Sequence, residues 1–192
     1  MELHLIRHGR TSGNQSDLLQ GWSNSSLLPD QLQSLQPVVF DVSPYDAIYS
    51  SDLGRCKETC RTLRLTNVIF DQRLRERNFG VLENQHHSNS TPEFSEPFAQ
   101  FQKLSGDYQI PEGESRAEHF NRLSSWIGSV QTTNRVLAIT HGGILDFLYR
   151  MSSGLDLHGG ERLFVGDNAA LSKFKVEWPE VTMLSFSESL TS

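Results

Sequence analysis

Two histidines in this chain each close an apolar run, and each is followed by glycine. The first run is Leu3-His4-Leu5-Ile6-Arg7-His8-Gly9-Arg10-Thr11. The second is Arg135-Val136-Leu137-Ala138-Ile139-Thr140-His141-Gly142-Gly143. A short buried strand that breaks into Arg-His-Gly delivers an imidazole and its flanking arginines to a sharp turn, which is a way to hold a nucleophile beside a phosphate. Alone, Arg7-His8-Gly9 is a weak signal, because the same tripeptide also describes a strand end with a solvated arginine and a capping histidine. Its weight comes from what the rest of the chain brings to the same place.

Phosphoryl transfer from an ester needs an in-line nucleophile, cations and donors around the equatorial oxygens, and a proton for the departing alcohol. A neutral imidazole can attack phosphorus and form a phosphohistidine that water later opens. Guanidinium groups grip phosphate oxygens in pairs, and a carboxylic acid with a raised pKa can protonate the leaving oxygen. The residues of the right type are His8, Arg7, Arg55, His141 and an acid near Arg75-Glu76-Arg77.

The elements that must position them alternate between strand and helix. Strands are expected at 2–6, 47–50, 68–70 and 135–140, with a closing hairpin at 170–176 and 181–186. Asn14 to Ser26 reads as a polar loop, and Pro29-Asp30 opens a short helix that Pro37 ends. Ser51-Asp52 reads as the N-terminus of a helix running to about Leu65. Further helices are expected up to Val130, with Phe120, Leu123, Ile127 and Val130 on one face, and over 144–151. Residues 84–111 form an excursion with one helix near 94–104 and the aromatics Phe94, Phe98, Phe101 and Tyr108, readable as a lid or as packing. The tail after Glu188 is expected to fray. This order implies a single domain over 1–192 with a three-layer α/β/α sandwich around a largely parallel sheet. In such sheets ligands gather beyond the carboxyl ends of the strands, where Arg7-His8-Gly9, Ser50-Ser51 and His141-Gly142-Gly143 all fall.

A chain of 192 residues suits one domain with a full core. Its net charge of −6, with no Lys/Arg block, argues against nucleic-acid and anionic-membrane partners, so an anionic substrate must be held by a local arginine cluster. No segment approaches the roughly 18 apolar residues of a membrane span, and the expected location is the cytoplasm. Cys56 and Cys60 stand one helical turn apart and read as reduced and packed. His86-His87 reads as a solvated pair rather than a metal site. Neither a His-Glu-x-x-His nor a Gly-x-x-x-x-Gly-Lys-Ser/Thr is present.

The chain resembles the histidine phosphatase superfamily, the phosphoglycerate mutase-like group. The matching pieces run in the family's order: Leu5 to Thr11 with Asn14, Gln20-Gly21-Trp22, Ile48 to Arg55, Leu74 to Gly80, Pro111 to Ser115, Thr140 to Gly143, and Asn168-Ala169-Ala170. The resemblance implies a phosphoglycerate mutase-like fold and no cofactor or metal. It implies His8 as the phosphorylated nucleophile and Glu76 as the general acid that later activates water. Arg7, Arg55 and His141 complete the phosphate pocket, and Asn14, Gln20, Gly21 and Gly142 contribute to binding. Glu83 is the alternative acid, Arg10 a substrate contact or a surface residue, and Glu114-Ser115 a cap that shapes the rim.

The superfamily contains phosphatases and mutases. A mutase wants extra cations beyond the first pocket, yet residues 84–111 contain only Lys103 against Glu93, Glu96 and Asp107. That contrast favours a metal-independent phosphomonoesterase, with a phosphoglycerate mutase as the alternative. Leu74-Arg75-Glu76 followed by Phe79-Gly80 resembles phosphatases acting on α-ribazole phosphate, but Leu82-Glu83 departs from the aromatic-acidic pair those proteins carry. The expected partner is a small phosphorylated metabolite, with a homodimer left open. A catalytically inactive phospho-ligand-binding module is the reading from outside enzymology.

Overall fold

The computed structural model describes residues 1–86, 92–102, 107–157 and 166–191; His87, Lys103, Leu104 and the side chain of Phe94 lie outside it. Strand β1 (Glu2–Arg7) leads into a one-turn helix α1 (Ser12–Gln15) and then α2 (Pro29–Leu35). Next come β2 (Ala47–Ser50), α3 (Gly54–Thr62) and β3 (Val68–Phe70). Helices α4 (Pro92–Gln102) and α5 (Arg116–Val130) precede β4 (Arg135–Thr140), α6 (Gly142–Ser152), β5 (Ala170–Glu177) and β6 (Glu180–Ser189).

The sheet order is β3-β2-β4-β1-β5-β6. The first four strands are mutually parallel, while β5 runs antiparallel to β1 and forms the hairpin with β6. Side chains alternate across β1 and β4. Leu3, Leu5, Val136 and Ala138 face α5 and α6 through Leu123, Trp126, Ile127, Phe147 and Leu148. Ile6, Leu137 and Ile139 face the other way, onto Leu35 of α2 and Cys56 and Cys60 of α3. Because one face of each parallel strand is covered by helices on each side, the three-layer expectation holds.

The register of two strands explains the meeting of the histidines. Arg7 pairs with Thr140 in the parallel β1–β4 ladder, so His8 and His141 leave adjacent strands at the same level. The ladder ends on a bond from the His8 amide to the Thr140 carbonyl, 2.9 Å.

Several boundaries differ from the sequence reading. Asn14 belongs to α1 rather than to a loop, because the Thr11 side chain caps that turn and Asn14 returns the bond to the Thr11 amide. Helix α3 starts at Gly54, with no side-chain cap from Ser51 or Asp52. Both are committed elsewhere: Ser51 to His141, and Asp52 to Arg75 through two 2.6 Å bonds. Helix α4 begins at Pro92, and β6 continues through Ser189, so the tail after Glu188 is paired further than expected. Two single 3₁₀ turns, Gln72–Leu74 and Gly80–Leu82, flank Glu76 and were not foreseen. In the excursion, Phe98 packs with Leu19, Leu82 and Ile110, and Phe79, Phe101 and Tyr108 lie against them.

Candidate active site

Beyond the ends of β1, β2 and β4 lies a cavity of about 270 Å³. It is lined by Arg7, His8, Arg10, Asn14, Gln20, Gly21, Arg55 and Glu76, with Asp17, Leu18, Leu19, Phe79 and Asn168 completing it. Seven residues expected at the site from sequence therefore share one wall.

His8 is buried, and its Nδ1 lies 2.9 Å from the Gly9 carbonyl oxygen. A carbonyl only accepts, so Nδ1 carries the proton and the Nε2 lone pair is the one available for attack. Burial, then the cations of Arg55 and Arg7, hold His8 well below the ordinary histidine pKa, so the ring is neutral at pH 7. The loop carrying it is fixed from two sides. The Gly9 amide donates to Thr59 Oγ1, whose hydroxyl donates to the Arg55 carbonyl. Asn168 Nδ2 donates to the His8 carbonyl at 2.9 Å.

Arg55, almost wholly buried, donates from Nη1 to the Ser23 carbonyl, from Nη2 to the Gly21 carbonyl and from Nε to His141 Nδ1, at 3.0, 2.7 and 3.2 Å. No carboxylate forms an ion pair with it among the described residues. Three of its five N–H groups are thus anchored, and two remain for an anion in the cavity. Arg7 lines the same wall and donates from Nη1 to the Gly166 carbonyl at 2.6 Å.

His141 and Gly142 are placed differently from the expectation. Neither lines the cavity; both sit behind it, at the start of α6. His141 Nδ1 accepts from Arg55 and its Nε2 donates to Ser51 Oγ at 2.8 Å. Its ring centroid is 5.2 Å from that of His8. Burial, then Arg55 and His8, keep it neutral, and its Nδ1 is an anchor for Arg55, which lines the cavity. The sequence could not show this, because the direction of the ring depends on the arginine that arrives from α3.

Asn14 and Gln20 are oriented by Thr11. Its amide donates to Asn14 Oδ1 at 3.1 Å and its hydroxyl donates to Gln20 Oε1 at 2.8 Å. Both side-chain amide nitrogens remain without a protein partner among the described residues and can donate to a ligand. Arg10 lines the outer cavity, and its guanidinium likewise has no partner among the described residues. Leu18, Leu19 and Phe79 give the outer wall an apolar surface, with Asp17 at its edge.

Glu76 is the carboxylate of this wall. Oε1 accepts from the Arg77 amide at 2.9 Å and Oε2 from the Gly143 amide at 3.1 Å. Glu83 does not line the cavity. Its Oε1 accepts from the amides of Trp22 (2.6 Å) and Phe79 (3.3 Å), which fixes the turn at Gly21. Gly21 has φ +51°, and a Cβ there would lie 2.1 Å from Glu83 Oε1, so only glycine fits. Ser115 caps α5 in a capping box with Glu118, whereas Glu114 pairs with Arg122. Thr11, Ser51, Thr59 and Arg122, which orient the site, carried no sequence signal beyond their places inside or near the motifs. Among the described residues no three His, Cys, Asp or Glu side chains converge to hold a metal ion, and no helix is long and apolar enough to cross a membrane.

A neutral imidazole, a buried guanidinium with a second one partly buried beside it, and a carboxyl group at the carboxyl edge of a mostly parallel sheet define an α/β enzyme of the phosphatase and mutase kind. The chain belongs to the histidine phosphatase superfamily (branch 1), whose profile matches residues 3–188. It is 33% identical over 171 residues to a Shigella boydii protein named "Probable phosphoglycerate mutase GpmB", covering 85% of this chain and 80% of that one. Escherichia coli proteins of the same name match equally. Among solved structures, the α-ribazole phosphatase of Shigella flexneri is 26% identical with a TM-score of 0.79, over 98% of this chain and 96% of that one. YhfR of Bacillus stearothermophilus shares the fold at a TM-score of 0.83 and 24% identity, over 100% and 99% of the two chains.

Proposed function

We propose that the protein is a metal-independent phosphomonoesterase acting on a small phosphate ester. The observation that carries this is the His8 tautomer: with Nδ1 bonded to Gly9, Nε2 is a lone pair in a cavity that also holds Arg7, Arg55 and Glu76. Nε2 attacks phosphorus and the phosphorus–oxygen ester bond breaks. Glu76, as the general acid, gives a proton to the departing alkoxide. Water then attacks the phosphohistidine, Glu76 takes a proton from it, and inorganic phosphate leaves with His8 neutral again. Arg7, Arg55, and the amides of Asn14 and Gln20 neutralise and orient the equatorial oxygens.

The outer wall supports hydrolysis. It presents Leu18, Leu19 and Phe79, with Arg10, whose guanidinium has no partner among the described residues, and a nearby carboxylate, Asp17. A mutase must grip a second anionic end, and Arg10, together with the names of the curated relatives, supports that second reading. An assay in chelator decides between them, using wild type and His8→Ala with p-nitrophenyl phosphate, 3-phosphoglycerate and a panel of alkyl phosphates. Phosphate release that requires His8, without isomerisation, is the expected result. Isomerisation with little phosphate release establishes the mutase. Loss of activity in chelator, restored by a metal ion, overturns the metal-independent mechanism.

A further inference from the structure

All five N–H groups of Arg122 are committed, three to carbonyls of the segment around Glu76 and two to the Glu114 carboxylate. Nε donates to Glu114 Oε1 and Nη2 to Glu114 Oε2, at 2.8 and 2.9 Å. Nη1 donates to the carbonyls of Arg73 and Arg75 at 2.9 and 2.7 Å, and Nη2 donates to the carbonyl of Glu76 at 2.7 Å. Glu114 grips the same segment one step on, accepting from the Asn78 amide at 2.8 Å.

We infer that Arg122, oriented by Glu114, is a positioning residue for Glu76, holding its backbone so that the carboxyl group meets the leaving oxygen. The inference rests on the reading of Glu76 as the general acid. Residues 75–79 have no helix or strand of their own, so their carbonyls need donors from elsewhere. Helix α5 supplies those of Arg75 and Glu76 through one side chain whose planar fork is preorganised and whose charge is matched by a half-buried carboxylate. On the opposite side Trp22 Nε1 donates to the same Glu76 carbonyl at 2.8 Å. The peptide of Glu76 is thus held between α5 and the cavity loop, and the side chain is held separately by the amides of Arg77 and Gly143. A general acid must lie within hydrogen-bond reach of the oxygen it protonates. A shift of about 1 Å from a remote substitution can cost about 10²-fold in rate.

The test compares Arg122→Ala, Arg122→Lys and Glu76→Gln on p-nitrophenyl phosphate, whose leaving group needs no proton, and on glycerol phosphate, whose leaving group does. Arg122→Ala is expected to lower kcat/KM, which reports transfer to His8 before the water step common to all esters, by about 10²-fold on the alkyl ester, with a small change on the aryl ester. Added to Glu76→Gln, it is expected to cause little further alkyl loss in kcat/KM, because both changes remove one function. Equal losses of kcat/KM on the two esters, or full additivity with Glu76→Gln, overturns the positioning role. If Glu76→Gln itself lowers kcat/KM equally on both esters, the general-acid reading fails and this inference falls with it, a pattern distinct from the others. If Arg122→Ala does not fold, as read by circular dichroism, Arg122→Lys carries the comparison. It keeps the charge but cannot make five fork-directed bonds, and the same leaving-group outcomes support or overturn the inference.

Discussion

Glu76 and Gly143 share a space that admits no further atom. The Gly143 amide donates to Glu76 Oε2 at 3.1 Å, and a Cβ built on Gly143 would lie 2.2 Å from Glu76 Oε1 and 2.8 Å from His119 Cε1. Glycine is needed here for clearance, since alanine is otherwise a good helix residue. Gly143→Ala is expected to displace the carboxylate and to lower kcat/KM on alkyl esters about 10²-fold while sparing kcat/KM on aryl esters. Comparing the two ester types measures this, and equal losses would show that the crowding disturbs more than the acid.

Arg55 should give the opposite signature. On the proposed mechanism its charge serves the transferring phosphoryl group, whatever the leaving group. Arg55→Ala is therefore expected to reduce kcat/KM on alkyl and aryl esters alike, by about 10²–10⁴-fold. Arg55→Lys should restore little of this, because one ammonium cannot reach Ser23, Gly21 and His141 together and still present donors to phosphate. Steady-state kinetics on both esters check it.

Three buried histidines make stability fall with acid. Burial is the first cause of the depressed pKa of His8, His119 and His141, with neighbouring arginines next. The folded state binds fewer protons than the unfolded chain, so ΔG of unfolding decreases as pH drops below the unfolded histidine value of about 6.5. The loss continues until the folded-state values are reached, at up to about 1.4 kcal/mol per pH unit for each histidine. Urea midpoints at pH 7.5, 6.5 and 5.5 should fall in that order. A flat profile would mean that these rings are not held neutral.

The layers were legible in the sequence because β1 and β4 carry apolar cores (Leu3, Leu5 and Ile6; Val136 to Ile139) and lead into glycine-linked histidines, a pattern that survives without tertiary information. Helix α5 was legible from the spacing of Leu123, Ile127 and Val130, which are buried together. The start of α3 was not, because Ser51 and Asp52 look like helix caps but bond to His141 and Arg75 instead. Local propensity cannot anticipate partners ninety and twenty-three residues away. Arg122 illustrates the same limit. On the helix it is one polar residue among several, and its role exists only where α5 crosses the irregular chain before Asn78.

The bond from His8 to the carbonyl of the next residue has a consequence for how such a pocket can diversify. On the proposed mechanism the attacking histidine takes its orienting acceptor from its own main chain, so no side-chain substitution can delete that acceptor. Residues around the rim, such as Arg10, Leu18 or Phe79, can therefore be exchanged to admit new esters while the reactive nitrogen stays the same atom, pointed the same way. The choice of substrate is thereby separable from the choice of nucleophile.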